Sequence, residues 1–450
     1  MNRSLTVANV PRTRTLVWPD ARGWAFALVV LTVWSSVAPV AYVFHIGSIG
    51  VVPYEIFEGL AVVLCGVLWL RGGMKFAAFP GVWWFGAFML LTTMSAWLAV
   101  DARAALVLLG RYWLSWLVIF LVPLVVTTRR QLRWFVVAML VQGLVLVSVN
   151  IAAGLGATSE TVRWFALTEF PKNEYATYLA FVVAIGLAVW NTDILQPRLT
   201  GAGLAMAALA IISWPLTFSR AGLLAIVGTL VLLVWFVRTR VVARQVAGLA
   251  VAGVVAWALL PSDVRANSSR AVSSLAHVMG SLRAGGLPGA SASGDPDPFS
   301  RTMNERLVLD RAALAAIARH PLTGVGLTRW QAQSPVTTPV WDVKRGEAIV
   351  VGAVVHNQFL YMAAESGLPT LVAYLGFLVV FWRGAFAARA HADPALRFLL
   401  NALLACSMSL LVALLTMPGA SWEWVELGLL VAVERLARLG AEPAAAVRAA

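Results

Sequence analysis

Two arginines and a histidine are the residues in this chain best suited to chemistry on a phosphorylated substrate. Arg220 lies in Phe218-Ser219-Arg220-Ala221-Gly222, Arg306 in a long polar stretch, and His356 at the end of that stretch in Val355-His356-Asn357-Gln358. A guanidinium grips phosphate oxygens in forked geometry, and an imidazole moves a proton near neutral pH. Lys172 and Arg265 beside apolar runs, Arg111 within one and Arg301 in the long polar stretch are further cations that could add to a phosphate-binding surface. Each residue also has a plainer reading. Arg306 and Asp310 are spaced as an ordinary surface pair worth a few tenths of a kcal/mol. A histidine at a helix start is commonly a cap or a solvated side chain, and Arg220 could snorkel to lipid headgroups. Against that, a charge fixed between two hydrophobic helices is expensive unless it is paired or hydrated, which makes Arg220 a functional candidate.

The elements that must position these residues follow from composition. The chain has 450 residues, of which 60% are hydrophobic and 12% charged, and its mean hydropathy is +0.81. Soluble domains carry about twice that charge. The fold class expected is an all-α polytopic membrane protein. Apolar windows fall near 24–44, 54–70, 82–99, 105–126, 134–154, 173–190, 201–217, 222–237, 242–260, 368–383, 396–416 and 421–437, giving about twelve transmembrane helices. The first is too long for a signal core, and Pro39 disfavours cleavage after it, so it is expected to be retained. Twenty tryptophans suit membrane interfaces. Cys65 and Cys406 both lie in apolar runs and offer neither a disulfide framework nor a metal motif.

Three segments follow: 1–260 with nine spans, 261–367 as one large loop with helical elements, and 368–450 with three spans and a tail. Arginine and lysine cluster in the connections on one side, among them Arg71, Lys75, Arg129, Arg130, Arg238, Arg240, Arg389 and Arg397. That bias puts both termini in the cytoplasm and the large loop outside, in the periplasm of a bacterial cell. It also absorbs most of the formal charge of +13, so no nucleic-acid partner is expected. No GxxxxGK phosphate loop is present, and the outer face has no ATP. Synthesis there needs a substrate that is already activated.

Within the loop, Ser291 to Pro298 reads as a Gly/Ser/Pro/Asp insert, and its Asp295-Pro296-Asp297 as a turn rather than a metal motif. Thr302 and Glu305 are spaced as a capping box. The helix they open would carry Arg306 in its first turn, an apolar stripe of Leu307, Val308, Leu314, Ile317 and Ala318, and an end before Pro321. His356 opens a short helix over 356–366 at the membrane interface, and Pro369 starts the next span. Arg111 falls inside the fourth span and needs a partner, for which Glu55, Glu58, Glu423 and Glu426 are the candidates.

Taken together, Ser219-Arg220-Ala221-Gly222, Arg306 ahead of His320-Pro321-Leu322-Thr323-Gly324-Val325-Gly326-Leu327, His356-Asn357-Gln358-Phe359-Leu360 and Glu365-Ser366-Gly367-Leu368 resemble the O-antigen ligase and polymerase superfamily of envelope glycosyltransferases. The likeness covers roughly 170–385. Similar sequences carry an aromatic where this chain has Asp310-Arg311, which leaves Arg301 and Arg311 as alternatives to Arg306. The resemblance implies a GT-C-like fold in a Gram-negative inner membrane. It also implies an undecaprenyl-pyrophosphate-linked glycan as donor and a catalytic role for the arginines and His356. No cofactor or metal is expected. The single dominant loop is similar to the ligases, whose acceptor is lipid A-core, rather than to the polymerases, which extend the lipid-linked glycan. A lipid-linked glycan flippase is the alternative from a different class, although no internal repeat is evident and the polar groups gather outside the spans.

Overall fold

A computed structural model describes residues 20–37, 44–46, 49–51, 53–75, 78–99, 101–156, 172–262, 264–266, 268–269, 298–342, 347–417 and 422–449. The first half of the chain folds as α1 (Ala21–Val37), a hairpin of β1 (Phe44–Ile46) and β2 (Ile49–Val51), α2 (Pro53–Leu70), α3 (Val82–Ala96), α4 (Ala102–Val125) and α5 (Arg129–Gly156). Then come α6 (Lys172–Trp190), α7 (Pro197–Ser213) with a 3-10 turn (Trp214–Thr217), α8 (Arg220–Val237) and α9 (Arg240–Leu259). The loop region supplies α10 (Pro298–Arg319), α11 (Arg329–Gln333), an antiparallel hairpin of β3 (Thr337–Asp342) and β4 (Glu347–Gly352), and α12 (Gln358–Ser366). The chain closes with α13 (Leu368–Ala388), α14 (Pro394–Ala413) and α15 (Glu423–Ala449).

Each of the twelve apolar windows overlaps one of these helices, although the first was expected to run to Phe44, which lies in β1. Among the described residues, nine helices have the length and hydropathy to cross a bilayer, and α1 and α3 are shorter apolar helices. The twelfth window falls in α15, whose inner face holds Glu423, Glu426 and Glu434. Helix starts follow the capping chemistry of their sequences. Asp101 accepts from the Ala104 amide (3.0 Å), Thr239 from Val242 (3.3 Å), and Asp393 from Ala395 and Leu396 (3.0 and 3.1 Å).

The bundle is built around α6 and α14. Some 83% of the spanning window of α6 and 72% of that of α14 is buried, against 11% for α9, so α6 and α14 are interior and α9 is peripheral. Both interior helices pack on α8, which fixes the helix that begins with Arg220.

Two expectations inside the loop are corrected. The helix carrying Arg306 begins at Pro298, not at Thr302, so Arg306 lies well beyond its first turn. Proline at the first helical position supplies the start that the capping box was expected to give. The buried stripe is also rotated: Leu309 and Ala313 are buried with Ile317 against them, whereas Val308 and Leu314 are 46% and 55% exposed. The consequence is direct. Arg306 and Asp310 share the inward face with Leu309 and Ala313, since residues three and four apart stack on one side of a helix. The expected Ser291–Pro298 insert lies, up to Asp297, outside the described residues, as do the side chains of Lys172 and Arg301.

Candidate active site

The loop has a hydrophobic core of its own. Leu309 and Ala313 of α10, Val325, Trp330 of α11, Ala353, Val355 and Ala364 of α12 form one buried cluster. Arg306 is one turn from Leu309, and His356 follows Val355, so one small core sets both side chains.

The link between them is a strap, residues 320–327, that runs along the end of α12. The Val325 amide donates to the Ala364 carbonyl (2.8 Å), Gly326 to Glu365 (2.9 Å), and Leu368 back to Pro321 (2.8 Å). Gly324 and Gly367 adopt positive φ, and a Cβ on Gly324 would lie 2.3 Å from the Glu365 carbonyl. No larger residue fits that approach. The strap is tied to the bundle as well: the Ser95 hydroxyl donates to the Glu365 carbonyl (2.8 Å) and the Leu327 amide to the Ser95 carbonyl (3.3 Å). Glu365 itself is buried and accepts from the Thr328 amide (3.1 Å), and burial raises its pKa to about 8. The two motif blocks around Gly324 and Gly367 are thus halves of one joint.

At the bundle surface, α7 gives way to the 3-10 turn, Phe218 takes a left-handed conformation, and Ser219 caps α8 by accepting from the Gly222 amide (3.2 Å). The Ser219 hydroxyl donates to the Asn173 side chain (2.7 Å), and Trp214 Nε1 donates to the Ser219 carbonyl (2.9 Å). Gly222 lies against α6, where a Cβ would meet that of Ala176 at 2.4 Å. Arg220 is the first residue of α8 and is partly buried.

These supports bring Arg220, Arg306 and His356 into one electrostatic group. Burial, with a further contribution from the positive charge of Arg220, lowers the Arg306 pKa to about 10, while Asp310 opposes the shift. Burial lowers that of His356 to about 4, and Arg306 adds to the effect. Burial raises the Asp310 pKa against the pull of Arg306. Three buried atoms here have no hydrogen-bond partner: Arg306 Nε, Asp310 Oδ1 and His356 Nδ1. An unmet buried polar atom costs about 1–3 kcal/mol. Three such atoms fall within this one group. Two like-charged guanidiniums beside a neutral imidazole favour an anion first and a hydroxyl proton second.

The remaining candidates fall as follows. Arg265 donates to the Ala258 carbonyl (3.3 Å), its Nε has no partner, and the neighbouring Val264 packs on Leu216 and Phe218, on the turn that delivers Arg220. Arg111 forms an ion pair with Glu55 at 2.7 Å. Arg311 is exposed on α10, away from the inward face shared by Arg306 and Asp310. Sequence reasoning missed Asn173 and treated Asp310 only as a surface partner. The spacing of Asp310 four residues after Arg306 was the available signal for the latter.

A multi-pass helical membrane protein with two arginines and a histidine grouped at the junction of bundle and loop is the class these features define. Residues 205–375 match the family model described as O-antigen ligase, a stretch that includes Arg220, Arg306 and His356. Over that stretch the chain is similar to the O-antigen ligase family. No curated protein matches it.

Proposed function

We propose that this protein is an O-antigen ligase: a glycosyltransferase that moves a glycan from undecaprenyl pyrophosphate to lipid A-core at the periplasmic face of a Gram-negative inner membrane. The observation that carries the reading is the electrostatic grouping of Arg220, Arg306 and His356, with unmet polar atoms on Arg306 and His356.

In this reading the donor pyrophosphate lies against Arg220 and Arg306, with Arg265, Lys172, Arg301 or Arg111 extending the positive surface. Charge-assisted hydrogen bonds from guanidinium to phosphate are the stronger kind and discriminate by shape. An acceptor hydroxyl of the core attacks the anomeric carbon from the face opposite the pyrophosphate, inverting that centre. The glycosidic C–O bond breaks, its electron pair leaves on the pyrophosphate, and the two arginines stabilise the growing charge. His356 takes the hydroxyl proton. It is neutral for this purpose because burial and Arg306 hold its pKa at about 4. A bound pyrophosphate offsets the charge of Arg306, which raises the basicity of His356 when the substrate is in place.

The test incubates purified protein with undecaprenyl-pyrophosphate glycan and lipid A-core in EDTA and separates the products by gel. Glycan on lipid A-core, reduced about 10^2-fold or more in Arg306→Ala and His356→Ala, is the expected result. A lengthened donor with the core unchanged would make the protein a polymerase. Donor moved between leaflets with neither product formed would favour a flippase.

A further inference from the structure

The helix ends farthest from the active site hold a second basic feature. Arg238 closes α8 in a left-handed conformation, and Arg389 caps α13. Between them lies a cavity of about 430 Å³, lined by Trp235, Phe236, Arg238, Phe386, Arg389 and Met408. Four of its walls are apolar side chains and two are guanidiniums. The guanidinium of Arg389 lies over the rings of Phe236 and Phe386, 5.7 and 5.3 Å from their centroids, and donates to the Phe236 carbonyl at 3.4 Å.

Among the described residues, no acid lines this cavity. The nearby Asp393 is engaged with Arg129 and caps α14. Burial and the neighbouring charges of Arg397 and Arg238 all lower the pKa of Arg389, so three cations crowd one end of the bundle without a counter-charge lining the cavity. Like charges held against an apolar wall are costly unless an anion with an apolar body joins them. Basic pockets between transmembrane helices suit lipid headgroups. The position agrees, since the 18 residues of α8 separate Arg220 from Arg238 by about 27 Å, close to the thickness of a bilayer core. Trp235 is 58% exposed at the same level, as an interfacial tryptophan is.

We propose that this cavity binds an anionic phospholipid, its phosphate between Arg238 and Arg389 and the start of an acyl chain against Phe236, Phe386 and Met408. The apolar walls favour a lipid phosphodiester over free phosphate. The inference rests on the fold and the charge distribution, and is independent of the transferase reading.

Native mass spectrometry of the full chain, equilibrated with equal amounts of phosphatidylglycerol and phosphatidylcholine, tests it. Retained phosphatidylglycerol adducts should exceed phosphatidylcholine and fall about tenfold in Arg389→Gln and in Arg238→Gln, the loss of one charge-assisted hydrogen bond. Arg240→Gln, which removes an exposed charge two residues away, should change nothing. Arg238 is exposed, so that variant keeps the test meaningful if the Arg389 variant fails to fold. Equal retention of the two lipids, equal losses in the Arg240 control, or displacement of the lipid by inorganic phosphate would each overturn the assignment.

Discussion

Replacing Gly324 with alanine tests whether the strap sets the distance between Arg306 and His356. Gly324 has φ of 65°, and a Cβ there would lie 2.3 Å from both the carbonyl carbon and the oxygen of Glu365 and 2.5 Å from the Ser366 nitrogen. Comfortable carbon contacts begin near 3.5 Å, so the strap must withdraw by about 1 Å. The backbone cannot yield without loss, because Val325 and Gly326 on the same strand donate to Ala364 and Glu365 at 2.8 and 2.9 Å. Left-handed backbone costs a non-glycine residue about 1–2 kcal/mol, and two weakened hydrogen bonds cost about 0.5–1.5 kcal/mol each. The sum is about 2–5 kcal/mol, to be read as a lowered Tm of the purified protein. The effect on catalysis should be larger than a stability loss alone, since a displacement of about 1 Å at reacting groups costs about 10^2-fold. The assay is the initial rate of glycan transfer at saturating donor, with Leu322→Ala, at a side chain 73% exposed, as the control in the same strap. A Gly324→Ala protein with unchanged Tm and a rate within about threefold of wild type, under 1 kcal/mol of barrier, would refute the argument.

Two further outcomes follow from the charges. The acid limb of kcat/KM should fall at about pH 4, where free His356 gains its proton, because its depressed pKa keeps the neutral base populated above that value. The limb of kcat should lie higher, and Arg306→Gln should shift the kcat/KM limb upward by removing a neighbouring positive charge; a wild-type limb at the ordinary histidine value would contradict this. At the ion pair of Arg111 and Glu55, whose side chains are 32% and 10% exposed, Arg111→Gln and Glu55→Gln should each destabilise. Their double-mutant cycle should show coupling of about 0.5–3 kcal/mol in detergent unfolding, and coupling near zero would mean the pair does not hold α2 to α4.

Much of this was legible in the chain. Twelve apolar windows became helices because the bilayer sets one length and demands internal hydrogen bonding, which leaves few alternatives. Arg220 stood out as a charge between two apolar helices, and Arg306 and His356 as phosphate- and proton-handling groups in a long polar stretch. Local signals failed where a contact was distant. The Asn173–Ser219 bond and the seating of the strap on α12 join residues far apart in the sequence. The rotated stripe of α10 depended on which neighbours would cover it, and Leu309 and Ala313 won that place over Val308 and Leu314. The β3–β4 hairpin had a signal that went unused: β-branched runs on either side of Lys344-Arg345-Gly346.

The pairing of Val325 and Gly326 with Ala364 and Glu365 also gives the loop a neck. Chain that leaves the strap after Leu327 is tied back to it at Ala364 and Glu365, so the β3–β4 hairpin hangs from a closed ring. Lengthening such a closed excursion costs only about 0.6 kcal/mol for each doubling. The outer part of the loop can therefore diversify in length and surface while Arg306 and His356 keep their separation.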